Sequence, residues 1–290
     1  MSRAIGRWAL AVHGGAKEIA PGEEQAHREG CLRALAAGRE ILERGGAALD
    51  AVETAVRVLE DDPTFNAGRG SALNSAGEVE MCSAIMSGKD LAVGGVAVIK
   101  GVRHPVSVAR LVMAEDEILI AGPGARAFAS RKGAELCDPS DLIVEKQREA
   151  LHEHDTVGAV ALDTDGNLAA ATSTGGLPGA APGRMADSAL PGCGYYADNA
   201  VGALALSGDG ESIARLSTAA EVMRCMPELG PETALERALS RLTHLGGDGG
   251  GIALTRDGRV GWWHNSPAFA IAAASSDDPD GAVWLNKDEK

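Results

Sequence analysis

Two observations predict a protein of mixed helix and strand. From Glu23 onward the chain carries apolar residues at helical spacing. In its second half, Val157 to Thr172 and Gly251 to Trp263 each read as a strand, an Asp-Gly turn and a second strand. The first helix spans Glu23 to Arg44, with Cys31, Leu35, Ile41 and Leu42 among its apolar positions and Gly45-Gly46 as its stop. A second helix follows over Ala48 to Glu60. Leu73 to Met81, with Ala76-Gly77 at its centre, predicts a hairpin. Lys132 to His154 turns polar and charged, the composition of an exposed linker. A length of 290 residues allows one large domain or two ordinary ones, and 45% hydrophobic residues suffice for a substantial core.

Composition excludes several classes. With 27 basic against 41 acidic residues the net charge is −14, the wrong sign for neutralising phosphates, so no nucleic-acid partner is expected. Cys31, Cys82, Cys137, Cys193 and Cys225 are odd in number and contain no CxxC pair, which predicts reduced thiols of a cytoplasmic protein. The N-terminal apolar run, Trp8 to Val12, is too short for a signal peptide or a membrane span. The run Gly246-Gly247-Asp248-Gly249-Gly250-Gly251 lacks the Lys and Ser/Thr of a phosphate-binding loop. His152 and His154 lack a third partner and read as solvated charge rather than metal ligands.

The centre of the functional reading is Thr156, preceded by Asp155 and followed by the apolar strand Val157 to Leu162. If the peptide bond before such a threonine is cut, the freed α-amino group becomes the base for the residue's own hydroxyl, and nucleophile and base are one residue. A free α-amine has a pKa of about 7.7 to 8.0, so it can take that proton at neutral pH. No Ser-His-Asp triad is then needed.

Further motifs accompany it in order: Val12-His13-Gly14-Gly15-Ala16, Leu59 to Gly70, Ala171 to Gly176, Pro182 to Ser188, Leu190 to Asn199 and Ser207 to Glu211. On these residues nearly the whole chain resembles the plant-type asparaginase and isoaspartyl peptidase family of N-terminal-nucleophile hydrolases. The resemblance implies an α+β fold, a four-layer αββα sandwich. It also implies an inactive precursor that cuts itself between Asp155 and Thr156. The products would be an alpha subunit, residues 1–155, and a beta subunit, residues 156–290, which stay together as one structural domain and assemble as an (αβ)2 heterotetramer. The implied activity is hydrolysis of β-aspartyl dipeptides with some asparaginase activity, so the implied partner is a small-molecule substrate.

The same resemblance assigns roles. Thr156 is the nucleophile and Thr174 hydrogen-bonds it. Arg184 takes the α-carboxylate of the substrate's aspartyl head and Asp187 its α-ammonium, unless the two pair only with each other. Ser207 and Gly208 supply the oxyanion hole, Gly210 approaches the substrate carboxylate, and Asn66 points in near the nucleophile's amine. No cofactor is implied for catalysis. A structural sodium ion is, held by main-chain carbonyls of Leu59, Glu60, Asp62, Phe65, Ala67 and Arg69.

Departures from the family pattern are also legible. Cys82 and Ser87 stand where aspartates are common, Gly175-Gly176 is followed by Leu177-Pro178-Gly179, Ser207 replaces a threonine, and the junction is Asp155-Thr156 in place of Gly-Thr. Two other readings therefore stay open: a glycosylasparaginase-like amidase, and an unprocessed, non-catalytic binding member.

Overall fold

The computed structural model describes residues 6–144 and 155–289. The first stretch runs β1 (Ala9–Lys17), α1 (Glu24–Glu43), α2 (Ala48–Asp61), β2 (Met81–Ser87), β3 (Val93–Ile99), α3 (Pro105–Val112), β4 (Leu119–Ala121) and α4 (Gly122–Arg131). The second runs β5 (Val157–Leu162), β6 (Leu168–Thr174), β7 (Tyr195–Asp198), β8 (Gly202–Gly208), α5 (Gly210–Leu216), α6 (Thr218–Leu229) and α7 (Pro231–Leu239), then β9 (Gly249–Thr255), β10 (Val260–His264), β11 (Ala268–Ser275) and β12 (Asp278–Trp284).

Eight strands form one sheet in the order β12-β11-β1-β5-β6-β2-β3-β4, and four form a second in the order β10-β9-β8-β7. Alternation along the strands builds a core on each face of the large sheet. In β1, Leu10 and Val12 pack with Leu35, Leu42, Val52 and Val56 of the first two helices, while Ala9 and Ala11 turn to the other side and meet Ala205, Ile252 and Leu254 of the second sheet. A third core joins Leu204, Leu206 and Ala253 to Val222, Met226, Leu235 and Leu239 of α6 and α7. The layers are thus helix, sheet, sheet, helix. That is the αββα arrangement.

Both stretches share the large sheet, because β1 lies between β11 and β5 with antiparallel register on each. The first helix ends at Gly45 in a left-handed conformation, φ +74. The second is tied to the first Asp-Gly turn: Asp163 Oδ2 accepts from Ala48 N at 3.1 Å, while its Oδ1 accepts from Asp165 N and Asn167 N within the turn.

Two sequence expectations need correction. Leu73 to Met81 is not a hairpin of two strands but a turn closed by one bridge, Leu73 to Val79. Asn74 Oδ1 accepts from Ala76 N and Glu78 N, occupying amides that a ladder would use, and Met81 instead opens a strand pairing with β3 and β6. The linker expected over Lys132 to His154 is docked for its first part: Gly70 N donates to Leu142 O, Cys137 N to Gly101 O and Arg103 N to Glu135 O, and Leu142 is buried. Residues 145–154, which include Lys146 to Glu149, His152 and His154, lie outside the described residues.

Candidate active site

Thr156 stands one residue before β5. Because β5 is antiparallel to both β1 and β6, its first residues lie beside the last residues of those strands, with Gly158 opposite His13 and Val157 opposite Ser173. The end of β8 brings Ser207 and Gly208 to the same place from the second sheet. Asp155, Thr156, Thr174, Gly176, Arg184, Asp187, Ser188, Gly208 and Gly210 line one cleft there.

Upstream of Thr156 the Asp155 carbonyl is already held. Asp155 O accepts from Thr174 Oγ1 at 2.9 Å and from Asn66 Nδ2 at 3.1 Å. Asn66 is fixed in turn, since its Nδ2 also donates to Gly176 O at 2.7 Å and its Oδ1 accepts from Ala72 N at 2.8 Å. Thr174 is expected to hydrogen-bond the nucleophile and help hold its hydroxyl and freed amine. With the Asp155-Thr156 bond intact its hydroxyl donates to the Asp155 carbonyl, and Thr156 Oγ1 has Ser188 Oγ beside it at 3.2 Å.

Ser207 Oγ accepts from Thr156 N at 3.1 Å and from Ala16 N at 3.0 Å. Its own proton remains to be donated. Among the described residues His13 lies close by; it is fully buried, and burial pushes its imidazole down to about 3. It is too weak a base to take the Thr156 proton at neutral pH.

Downstream, Arg184 and Asp187 do not pair with each other. The Arg184 fork grips Glu211, with Nε to Oε1 at 2.8 Å and Nη2 to Oε2 at 2.6 Å. Glu211 is half exposed. Asp187 is buried, its Oδ2 has no hydrogen-bond partner, and burial pushes its carboxyl up to about 7. Gly210 leaves room for it: a Cβ there would lie 2.6 Å from Asp187 Oδ1 and 2.8 Å from Ala186 Cβ, so a larger residue would displace the carboxyl. Of its two oxygens only Oδ2 is buried without a partner, and a buried polar atom without a hydrogen bond is costly.

Of the departures, Cys82 faces the cleft, and burial pushes its thiol up to about 11. Ser87 stands at the other end of β2, roughly 16 Å along the strand, and touches none of the cleft-lining residues named above. The Leu59 to Arg69 loop uses several of its carbonyls internally: Leu59 O accepts from Asp62 N, Glu60 O from Arg69 N and Asp62 O from Phe65 N. Each keeps a second lone pair for a cation. The Glu60 side chain, which had no expected role, is buried, with Oε1 accepting from Val106 N and Ser173 Oγ, and burial pushes its carboxyl up to about 8. Among the described residues no group of three or more His, Cys, Asp or Glu could hold a metal.

Lys17, Ser188 and Glu211 are further polar residues at the site to which sequence reasoning assigned no role. Ser188 and Glu211 sit inside recognised motifs. Lys17 is a cation closing an otherwise apolar strand, two residues after Gly14-Gly15, which was the available signal.

A four-layer sandwich with a threonine at the head of a central strand defines the N-terminal-nucleophile hydrolase class. A family model described as asparaginase matches residues 6–155 and 151–283. The isoaspartyl peptidase/L-asparaginase of Bos taurus is 40% identical over 91% of this chain and 92% of its own length. That of Homo sapiens is 43% identical over 72% and 74%, and the isoaspartyl peptidase of Escherichia coli (strain K12) 36% over 98% of each chain. The chain belongs to the asparaginase family.

Proposed function

We propose that this chain cuts itself between Asp155 and Thr156 and then hydrolyses β-aspartyl amides, releasing an amino acid from isoaspartyl dipeptides and ammonia from asparagine. The observation that carries the reading is the contrast around Thr156. Its upstream carbonyl is held by two donors, Thr174 and Asn66, and downstream lie an Arg and a buried Asp with one oxygen that no donor reaches, the pair that this reading gives to the aspartyl head.

In the uncut chain the cleft offers only about 20 Å³, room for a water molecule rather than a dipeptide. Cleavage frees the Thr156 amine, which takes the proton of Oγ1 as that oxygen attacks the substrate's side-chain carbonyl. Ser207 and Gly208 face the oxyanion; such donors are each worth on the order of 3 to 4 kcal/mol. The amine leaves with a proton, and water then frees aspartate from the acyl-enzyme. Arg184 exchanges Glu211 for the substrate's α-carboxylate, a bidentate pair of the same geometry. Asp187 takes the α-ammonium.

The sodium-binding role of the Leu59 to Arg69 carbonyls, the (αβ)2 assembly from two cut chains of 29.6 kDa each and a reducing compartment belong to the same proposal. All five cysteines are free, and no described helix is long and apolar enough to cross a membrane. The test is product analysis on β-Asp-Leu, α-Asp-Leu, asparagine and a glycosyl-asparagine. Hydrolysis of the β-linked dipeptide with the α-linked one untouched supports the reading; a sugar amine as the only product contradicts it.

A further inference from the structure

Asp155 contributes more than its carbonyl to the cleavage site. Its carboxylate is buried and paired with Lys17: Nζ lies 3.3 Å from Oδ2, with the lysine side chain 7% exposed and the aspartate 0%. The socket for this carboxylate is made by Gly15, at φ +110, where a Cβ would fall 1.0 Å from Asp155 Oδ1. No other residue fits at that position while the carboxylate stays.

The socket depends on how β1 ends. Its pairing with β5 reaches His13, and its register on β11 shifts between His13 and Ala16. A bulge of this kind re-aims the side chains that follow, and Lys17 points inward as a result. The same strand end holds the other side of the scissile bond, because Ala16 N and Thr156 N both donate to Ser207 Oγ. Asp155 is therefore gripped at its side chain by Lys17 and at its carbonyl by Thr174 and Asn66, while Thr156 is gripped at its nitrogen and its hydroxyl.

We infer that Lys17 is a positioning residue for self-cleavage, acting through the Asp155 carboxylate to hold the scissile carbonyl against the Thr156 hydroxyl. The inference rests on the self-cleavage reading above. In that step Thr156 Oγ1 bonds to the Asp155 carbonyl carbon, the C–N bond breaks and the hydroxyl proton ends on the freed amine. Water then splits the ester, leaving a carboxylate on Asp155 and restoring the hydroxyl. Attack needs reacting atoms about 3 to 3.5 Å apart, and a displacement of about 1 Å costs on the order of a hundredfold in rate. A junction whose upstream residue carries a buried charge needs a partner for that charge to keep this geometry. A residue without a side chain there would not.

The experiment is a cycle of purified full-length proteins, wild type, Lys17→Met, Asp155→Gly and the double variant, followed by intact mass from the first hours after expression. Lys17→Met is expected to slow fragment formation at least about tenfold. In the Asp155→Gly background the same change should alter the rate by less than about twofold, since its target is gone. Equal slowing in both backgrounds would mean that Lys17 only supports the strand, and would overturn the inference. So would a Lys17→Met protein that cleaves at the wild-type rate. Should Lys17→Met fail to fold, Asp155→Asn, which keeps the shape and removes the charge, takes its place: slow cleavage supports the inference and an unchanged rate overturns it. A wild-type chain that stays whole defeats the self-cleavage reading and this inference with it, whereas a cleaving wild type matched by Lys17→Met defeats the inference alone.

Discussion

Thr156 separates two regions of opposite character. On the upstream side polar groups are buried with partners in place: the Asp155 carbonyl has two donors, its carboxylate is ion-paired with Lys17 at 3.3 Å, and Asn66 uses both ends of its amide. On the downstream side they are not. Asp187 lies buried with an oxygen that no donor reaches, and Arg184 is occupied by a half-exposed glutamate. Buried polar groups are normally satisfied, so a matched side and an unmatched side at one residue mean different tasks. The upstream side is built for a bond already in place. On the proposed function, the downstream side is kept for a molecule that has yet to arrive.

The comparison can be broken most severely at the residue that both sides share. Thr156→Ala should remain one chain on a denaturing gel and show no hydrolysis of β-aspartyl dipeptides, because the attacking oxygen for both reactions is lost. A smaller effect should fall on one side only. Arg184→Ala removes a bidentate charge-assisted contact of about 1.5 to 3 kcal/mol, so KM for β-Asp-Leu should rise roughly ten- to hundredfold while the time course of self-cleavage is unchanged. If that variant stalls cleavage and loses thermal stability together, Arg184 fixes the loop with Glu211 and does not bind substrate.

Asp187 sharpens the comparison through pH. Its carboxyl is pushed from the ordinary 3.8 up to about 7 by burial, so near neutrality a large share is protonated and cannot take an ammonium. KM should therefore fall as pH rises from 6 to 8. The sign for stability is the reverse: the folded form holds this proton more tightly than the unfolded form, so the contribution is full below 3.8 and lost as pH rises through about 7. Steady-state kinetics beside thermal melts over that range check both directions, and a KM independent of pH would remove Asp187 from the ammonium site.

The smallest expected effect concerns the leaving residue. A net charge of −14 and the half-exposed Glu211 beside the clamp favour a basic second residue. Exposed pairs contribute at most about 1 kcal/mol, so β-Asp-Lys should exceed β-Asp-Glu about fivefold in kcat/KM, with the gap shrinking as salt rises. Equal values at low salt would show that the rim does not select.

Local patterns carried the helices over Glu24–Glu43 and Ala48–Asp61 and both Asp-Gly strand pairs, because a period of 3.6 or 2 is written in neighbouring residues. The Leu73 to Val79 turn misled because Asn74 satisfies the amides locally, which no periodicity reveals. In the site, Arg184, Asp187 and Ser207 were legible through motifs. Lys17 with Asp155 and Arg184 with Glu211 were not, since each pair depends on which strand ends meet: β1 beside β5 in the first, and the loop before β7 beside α5 in the second. Strand order is a property of the whole sheet, and no window of the chain contains it.

On the proposed function the upstream side is used once and the downstream side many times. This is tested most directly by taking samples of one preparation over time, and measuring on each the intact masses and the rate of β-Asp-Leu hydrolysis. Two fragments are expected, the second beginning at Thr156, with activity rising in proportion to the cut fraction. Full activity in an uncut chain, or a second fragment beginning at any other residue, would contradict it.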